Sequence, residues 1–293
     1  MSTEATSGVE PIAVNPERRG LKKGLYLIPT AFTTLNIGLG FYAIICSLRG
    51  FQFLAEHRQA LLATDFFDNA ARAIGLAIIC DALDGRLARM TKTTTEIGVQ
   101  LDSIADVVTF GVAPAVMVFA WGYGSALPET QQLHKFGLLI SFVYLMCGGF
   151  RLARFNVQST RPRVLAEGTA KLDKKNFVGL PIPAAAGLIA AIIHFAPAPL
   201  LLLPTTQAEF YSGAMMVLVA CLSILMVSTL RYTSFKSVST EKSSPRLLLI
   251  ATALLVTFVW LYSRQTLLIV GGIYVAHGVF FRIVGFFRRP TAE

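Results

Sequence analysis

Ile97-Gly98-Val99-Gln100-Leu101-Asp102-Ser103-Ile104-Ala105-Asp106-Val107-Val108-Thr109-Phe110 opens an apolar run that continues without another charge to Tyr123. A hydrocarbon core about 30 Å thick takes roughly 20 helical residues to cross, so this run is long enough to span it. Comparable runs lie around it at Leu25 to Leu48, Phe66 to Arg89 and Phe136 to Arg154. Others follow at Leu180 to Leu203, Tyr211 to Leu230, Leu247 to Tyr262 and Thr266 to Phe287. The pattern predicts an all-α, polytopic membrane helix bundle of about eight transmembrane helices. A membrane β-barrel would show short alternating segments instead.

Composition agrees with this class. Of 293 residues, 54% are hydrophobic and 15% charged, against about 25% charged in an average soluble domain. The net charge of +9 does not point to nucleic acid, because the basic residues sit in short clusters between apolar runs rather than on one soluble face. Membrane lipid headgroups and topology account for them. Cys46, Cys80, Cys147 and Cys221 lie in apolar segments without metal-ligand spacing and read as small buried residues. Met1 to Gly20 is polar and lacks the apolar stretch of a signal peptide, so residues 1–24 are expected to form a flexible cytoplasmic tail.

Lys and Arg in short loops are retained on the cytoplasmic side. Arg18, Arg19, Lys22 and Lys23 precede the first run, and Arg86, Arg89 and Lys92 separate the second from the third. Arg151, Arg154, Arg161, Arg163, Lys171, Lys174 and Lys175 follow the fourth, and Arg231, Lys236, Lys242 and Arg246 the sixth. The stretches Gly122 to Gln132 and Pro204 to Glu209 carry neither residue. Both termini are therefore expected in the cytoplasm, and the protein in a cell inner (cytoplasmic) membrane.

Against that background four carboxylates stand out: Asp81 and Asp84 in one run, Asp102 and Asp106 in the next. An acidic side chain at a membrane helix centre costs about 2.5 to 3.5 kcal/mol on insertion scales, so it usually faces an internal site. A single aspartate at a helix end is as well explained by solvation, and Asp65 and Asp68 are read that way. The spacing of the four argues otherwise. Asp81, Asp84 and Ala88 follow i, i+3, i+7, and Gly98, Asp102 and Asp106 follow i, i+4, i+8, so each set lines one helix face. Two such faces turned together repel unless cations neutralise them. Oxygen-only ligands favour Mg²⁺ or Mn²⁺ over zinc, and four carboxylates suit a pair of such ions. Gly85 and Gly98 would let a nucleotide reach the backbone, and Arg89 offers a planar cation suited to phosphate.

The pattern Asp81-x-x-Asp84-Gly85-x-x-Ala88-Arg89, then Gly98-x-x-x-Asp102-x-x-x-Asp106, resembles the full signature of the CDP-alcohol phosphotransferase family. The resemblance implies that an alcohol attacks the phosphorus bearing the lipid of a CDP-linked substrate and that CMP leaves. It implies Asp81, Asp84 and Asp102 as metal ligands, and Asp106 as the base that deprotonates the attacking hydroxyl and also as a ligand. Gly85, Ala88, Arg89 and Gly98 would lie along CDP-diacylglycerol.

Further segments resemble the bacterial branch that uses L-serine. They are Ile28 to Asn36, Phe150 to Asn156, Gly179 to Ala185 and Met226 to Lys236, with one departure at Thr30, where relatives commonly have Asn. The resemblance divides the chain into a catalytic membrane domain at 25–236 and two additional helices at 237–293, and it implies a homodimer. L-Serine brings a carboxylate, so its site should hold a fixed cation with hydrogen-bonding neighbours. Arg151, Arg154 and Asn156, where the fourth run reaches the cytoplasmic face, are the candidates; the arginines are also suited to be headgroup anchors. Asn36 is a candidate nucleotide contact or an interhelical hydrogen bonder. His57, His134, His194 and His277 stand alone and are assigned no chemistry. The alternatives are the same chemistry with glycerol 3-phosphate, inositol or choline, and, more distantly, a cation transporter.

Overall fold

The computed structural model describes residues 16–57, 59–91, 96–160, 176–233, 253–254 and 256–287. Its helices are α1 (Pro16–Gln52), α2 (Ala60–Thr91), α3 (Glu96–Asp106), α4 (Ala113–Trp121), α5 (Tyr123–Ala126), α6 (Gln132–Thr160), α7 (Ile182–Phe195), α8 (Thr205–Val227) and α9 (Ser263–Phe287). A two-stranded antiparallel ribbon joins β1 (Asn176–Val178) to β2 (Arg231–Thr233). Among the described residues, five helical stretches are long and apolar enough to cross a membrane: Thr30–Ala55, Ile97–Ala126, Gln132–Val157, Ile182–Leu202 and Thr205–Val227. α2 is as long, but Asp65, Asp68, Arg72, Asp81 and Asp84 interrupt its apolar character. The expected run at Leu247 to Tyr262 lies partly outside the described residues, and that at Thr266 to Phe287 falls within α9.

One boundary differs from expectation. α1 starts at Pro16, inside the segment expected to be a flexible tail. Proline suits a first helical turn, where its missing N–H costs nothing, and Arg18, Arg19, Lys22 and Lys23 are good helix formers. A reading keyed to apolar runs cannot see such polar turns.

α1 and α2 pack along seams of alternating three- and four-residue spacing, the knobs-into-holes periodicity of paired helices. The α1 seam runs through the buried residues Thr33, Asn36, Gly40, Ala43, Ser47 and Gly50, and Leu54 just past the helix continues it. The α2 seam runs through Ala63, Phe67, Ala70, Ile74 and Ala77, all fully buried. Small residues let the backbones approach: a Cβ added at Gly50 would meet the Phe67 ring at 2.9 Å, and one at Gly40 would collide with Thr109. Continued in the same rhythm, the α2 seam reaches Asp81 and then Asp84. The carboxylates thus occupy seam positions where the apolar series stops, Asp84 buried and Asp81 half-buried. On the outside, Phe41, Phe136, Phe142, Phe150, Phe210 and Ile224 are exposed, as suits a surface that meets lipid tails.

Between α3 and α4 the helix widens into a π turn over Val107–Val112, where the Ala113 N–H bonds the Val108 carbonyl five residues back. Two neighbours hold it. The Tyr144 hydroxyl of α6 donates to the Phe110 carbonyl at 3.0 Å, and the Thr109 hydroxyl donates to the Asn36 carbonyl of α1 at 3.0 Å.

The ribbon ties the entry of α7 to the exit of α8, with Val178 opposite Arg231. Beyond it, the Gly179 N–H donates to the Leu230 carbonyl at 2.8 Å and the Leu180 N–H to the Leu225 carbonyl at 3.0 Å. Pro181 caps α7, and Pro183 sits in its first turn. Gly179 has φ +85°, and a Cβ there would overlap the Met226 carbonyl oxygen and lie 3.2 Å from that of Ser228. Gly179→Ala is therefore expected to destabilise the protein by at least about 1–3 kcal/mol, the cost of a strained backbone position, before the collision is counted. Thermal unfolding in detergent checks this; an unchanged midpoint would show that the clasp tolerates a side chain.

Candidate active site

The seam of α2 and the inward face of α3 bring their carboxylates together. Asp81, Asp102 and Asp106 each place an oxygen so that all three lie within 4.8 Å of one another. Asp84, one turn along α2, is 4% exposed and accepts a hydrogen bond from the Thr33 hydroxyl of α1 at 3.2 Å. It lies within electrostatic reach of Asp106 but outside the group of three. Asp102 and Asp106 each have one buried carboxylate oxygen without a hydrogen-bond partner. Three clustered carboxylates in a low-dielectric bundle repel strongly, and buried acceptor oxygens are normally satisfied. A hard divalent cation answers both requirements, so the residues present fit such an ion.

Across from the acids stands Arg151 of α6. It is half-buried, its Nε is buried without a partner, and Asp106, Tyr274 and Asp81 are within its electrostatic reach. The other sequence-derived candidates divide. Asn156 donates to the Ser103 hydroxyl at 2.8 Å, beside Asp102, joining α6 to α3. Arg154 is exposed on α6. Gly85 is half-buried and Gly98 exposed. Ala88 and Arg89 lie in α2, but their side chains are outside the described residues. Asn36 is fully buried on the α1 seam, one turn from Thr33, with both Oδ1 and Nδ2 lacking partners. Leaving such atoms unpaired costs about 1–3 kcal/mol each, which singles it out as a position kept for something other than packing.

Sequence reasoning missed Thr33, Thr109, Tyr144 and Tyr274. Thr33 lay within the segment quoted for resemblance, and its spacing to Asn36 on one helix face was readable. The π turn and the tyrosine that holds it carry no sequence signal. His194 and Asp68 were misread. The His194 Nδ1 meets Asp68 Oδ1 at 2.5 Å and its Nε2 meets the Ser263 hydroxyl at 2.9 Å, so neither residue is isolated. Both are buried where α7 packs on α2, with the start of α9 reaching His194 through Ser263. Cys221 is exposed rather than buried, on the outer side of α8.

An acidic trio fit for divalent metal, on paired helices of a membrane bundle with a cation opposite, suits a metal-dependent transferase acting on phosphate esters. The chain belongs to the CDP-alcohol phosphatidyltransferase family, whose model matches residues 26–225. Members of this family depend on divalent cations, and membership makes the chain a transferase rather than a transporter. It is similar to a CDP-diacylglycerol–serine O-phosphatidyltransferase of Helicobacter pylori (strain ATCC 700392 / 26695), with 31% identity over 256 residues, covering 87% of this chain and 90% of the relative. Proteins of the same name from Saccharomyces cerevisiae and Methanocaldococcus jannaschii match shorter parts. The first is 35% identical over 55% of this chain and 51% of its own length, the second 38% over 41% and 48%.

Proposed function

We propose that this chain transfers the phosphatidyl group of CDP-diacylglycerol to L-serine, releasing CMP and forming phosphatidylserine. The relatives' shared name supports the substrates. The observation that carries the serine reading is Arg151, a half-buried guanidinium with an unpartnered Nε beside Asp106. An acceptor carrying its own carboxylate would satisfy it while its hydroxyl reaches the acidic trio.

Asp81, Asp84 and Asp102 would hold one or two divalent cations, Mg²⁺ or Mn²⁺, with Asp106 beside them. When bound, these ions supply Lewis-acid polarisation of the diphosphate. Asp106 takes the proton of the serine hydroxyl as its oxygen bonds to the lipid-bearing phosphorus. The bond from that phosphorus to the CMP oxygen breaks, and CMP departs with the electron pair. Gly85 and Gly98 leave the helix backbones open to the nucleotide, and Asn36 and Arg89 are candidates to meet it. Arg154 and Asn156 would support Arg151, the latter by fixing α6 against Ser103.

By the positive residues of its loops, the site faces the cytoplasm from the inner membrane. Residues 25–236 form the catalytic domain in this reading, and 237–293 add two helices. The family resemblance supports a homodimer.

With purified protein, CDP-diacylglycerol and Mg²⁺ or Mn²⁺, serine is expected to release CMP at least about tenfold faster than glycerol 3-phosphate, inositol or choline, the margin of roughly 1.4 kcal/mol in transition-state binding. Release with glycerol 3-phosphate but not serine would overturn the acceptor while leaving the family chemistry intact.

A further inference from the structure

A crevice of about 840 Å³ runs between α2, α7 and α9, from Arg72 and His194 at one end to Tyr274, near Arg151, at the other. Its walls are almost wholly aliphatic, including Leu76 and Ile79 of α2, Leu188 of α7, and Leu267 and Val270 of α9. At one end the character changes. Arg72 donates to Asp68 Oδ2 at 2.7 Å, Arg264 approaches the same oxygen at 4.0 Å, and both arginines remain about half exposed. His194 Nδ1 meets the other carboxylate oxygen, and its Nε2 meets the Ser263 hydroxyl. Two guanidinium groups share one carboxylate, which leaves an excess positive charge at the mouth.

The depth of this mouth follows from helix geometry. Asp68 precedes Asp81 by thirteen residues, which is about 20 Å along a helix. The cluster therefore lies in the half of the bundle opposite the acidic trio. Trp260 and Tyr262, just ahead of α9, are strongly exposed at the same level. Tryptophan and tyrosine concentrate where a membrane meets water, at headgroup depth. Basic side chains there, above an aliphatic groove, match a lipid with a phosphate above acyl chains.

We infer that the α2–α7–α9 crevice binds an anionic phospholipid of the leaflet opposite the active site, its phosphate between Arg72 and Arg264 and an acyl chain along the aliphatic walls. The wall supplied by α9 lies beyond the region matched by the family model. The site is thus completed by the C-terminal extension. Gly75 of α2 lines the crevice, and a Cβ added there meets no atom within 4 Å, so a larger side chain can fill the space without displacing backbone.

The test is native mass spectrometry of the full-length protein, mixed in detergent with phosphatidylglycerol or with phosphatidylcholine of the same chains. The wild type is expected to retain the anionic lipid at least about tenfold more than the zwitterionic one, a margin equal to about 1.4 kcal/mol. R72Q/R264Q should lower the anionic adduct to the zwitterionic level, and Gly75→Leu should remove both adducts without touching any charge. Neither change should alter the KM for CDP-diacylglycerol in CMP release. Equal retention of the two lipids by the wild type, or an undiminished adduct in Gly75→Leu, overturns the proposal. So does a tenfold rise in that KM in Gly75→Leu, which would give the crevice to the substrate's own chains.

Discussion

Replacing Asp106 with Asn is expected to lower the rate of CMP release by about 10²–10⁴-fold, the range that a positioned general base contributes. Asparagine keeps an oxygen that can face a cation but cannot take a proton. Binding of CDP-diacylglycerol and of Mn²⁺, read by calorimetry, is therefore expected to survive in this variant. The choice of Asp106 is what the family resemblance implies, and its setting suits it: it shares the trio with Asp81 and Asp102 and stands within reach of Arg151. It is also the last residue before the helix widens into the π turn. Turnover at the wild-type rate would remove it as the base, and loss of metal binding together with turnover would make it a ligand first.

Arg151→Ala carries the second large effect. Truncating one partner of a buried charge pair costs about 2–5 kcal/mol, so the KM for serine is expected to rise by about 30-fold or more while that for CDP-diacylglycerol holds. Arg151→Lys should restore little, because an ammonium lacks the planar fork that meets a carboxylate on two atoms. Arg154, exposed one turn further along α6, should matter less. If alanine at both positions leaves the serine KM unchanged, the acceptor carboxylate is held elsewhere.

The fold class could be read from the sequence because crossing a membrane imposes length and apolarity together, and the runs around Ile97 to Tyr123 satisfy both. The trio was equally legible: i, i+3 and i, i+4 spacing fixes which side chains share a helix face. What escaped was decided by partners distant in sequence. Thr33 reaches Asp84 across 51 positions, and Tyr144 reaches Phe110 across 34. Nothing local marks such pairs. Asp68, read as solvated, and His194, read as standing alone, show the same limit from the other side, since they meet only where α7 packs on α2. The start of α1 was missed for a different reason, because its first turns are polar.

The π turn at Val107–Val112 has a consequence for how this helix tolerates change. One residue inserted into an α-helix rotates everything beyond it by about 100°. The segment with Asp102 and Asp106 and the segment with Ala113 and Met117 are therefore clocked independently, the first toward the acids of α2 and the second into the core. Removal of any single residue from 107 to 112 would give back a regular helix and turn the carboxylates off their axis while every apolar side chain outside the turn remained. The site is thus more sensitive to a change in chain length at this turn than to most changes in side-chain identity there, a kind of lesion that a scan of point substitutions never samples.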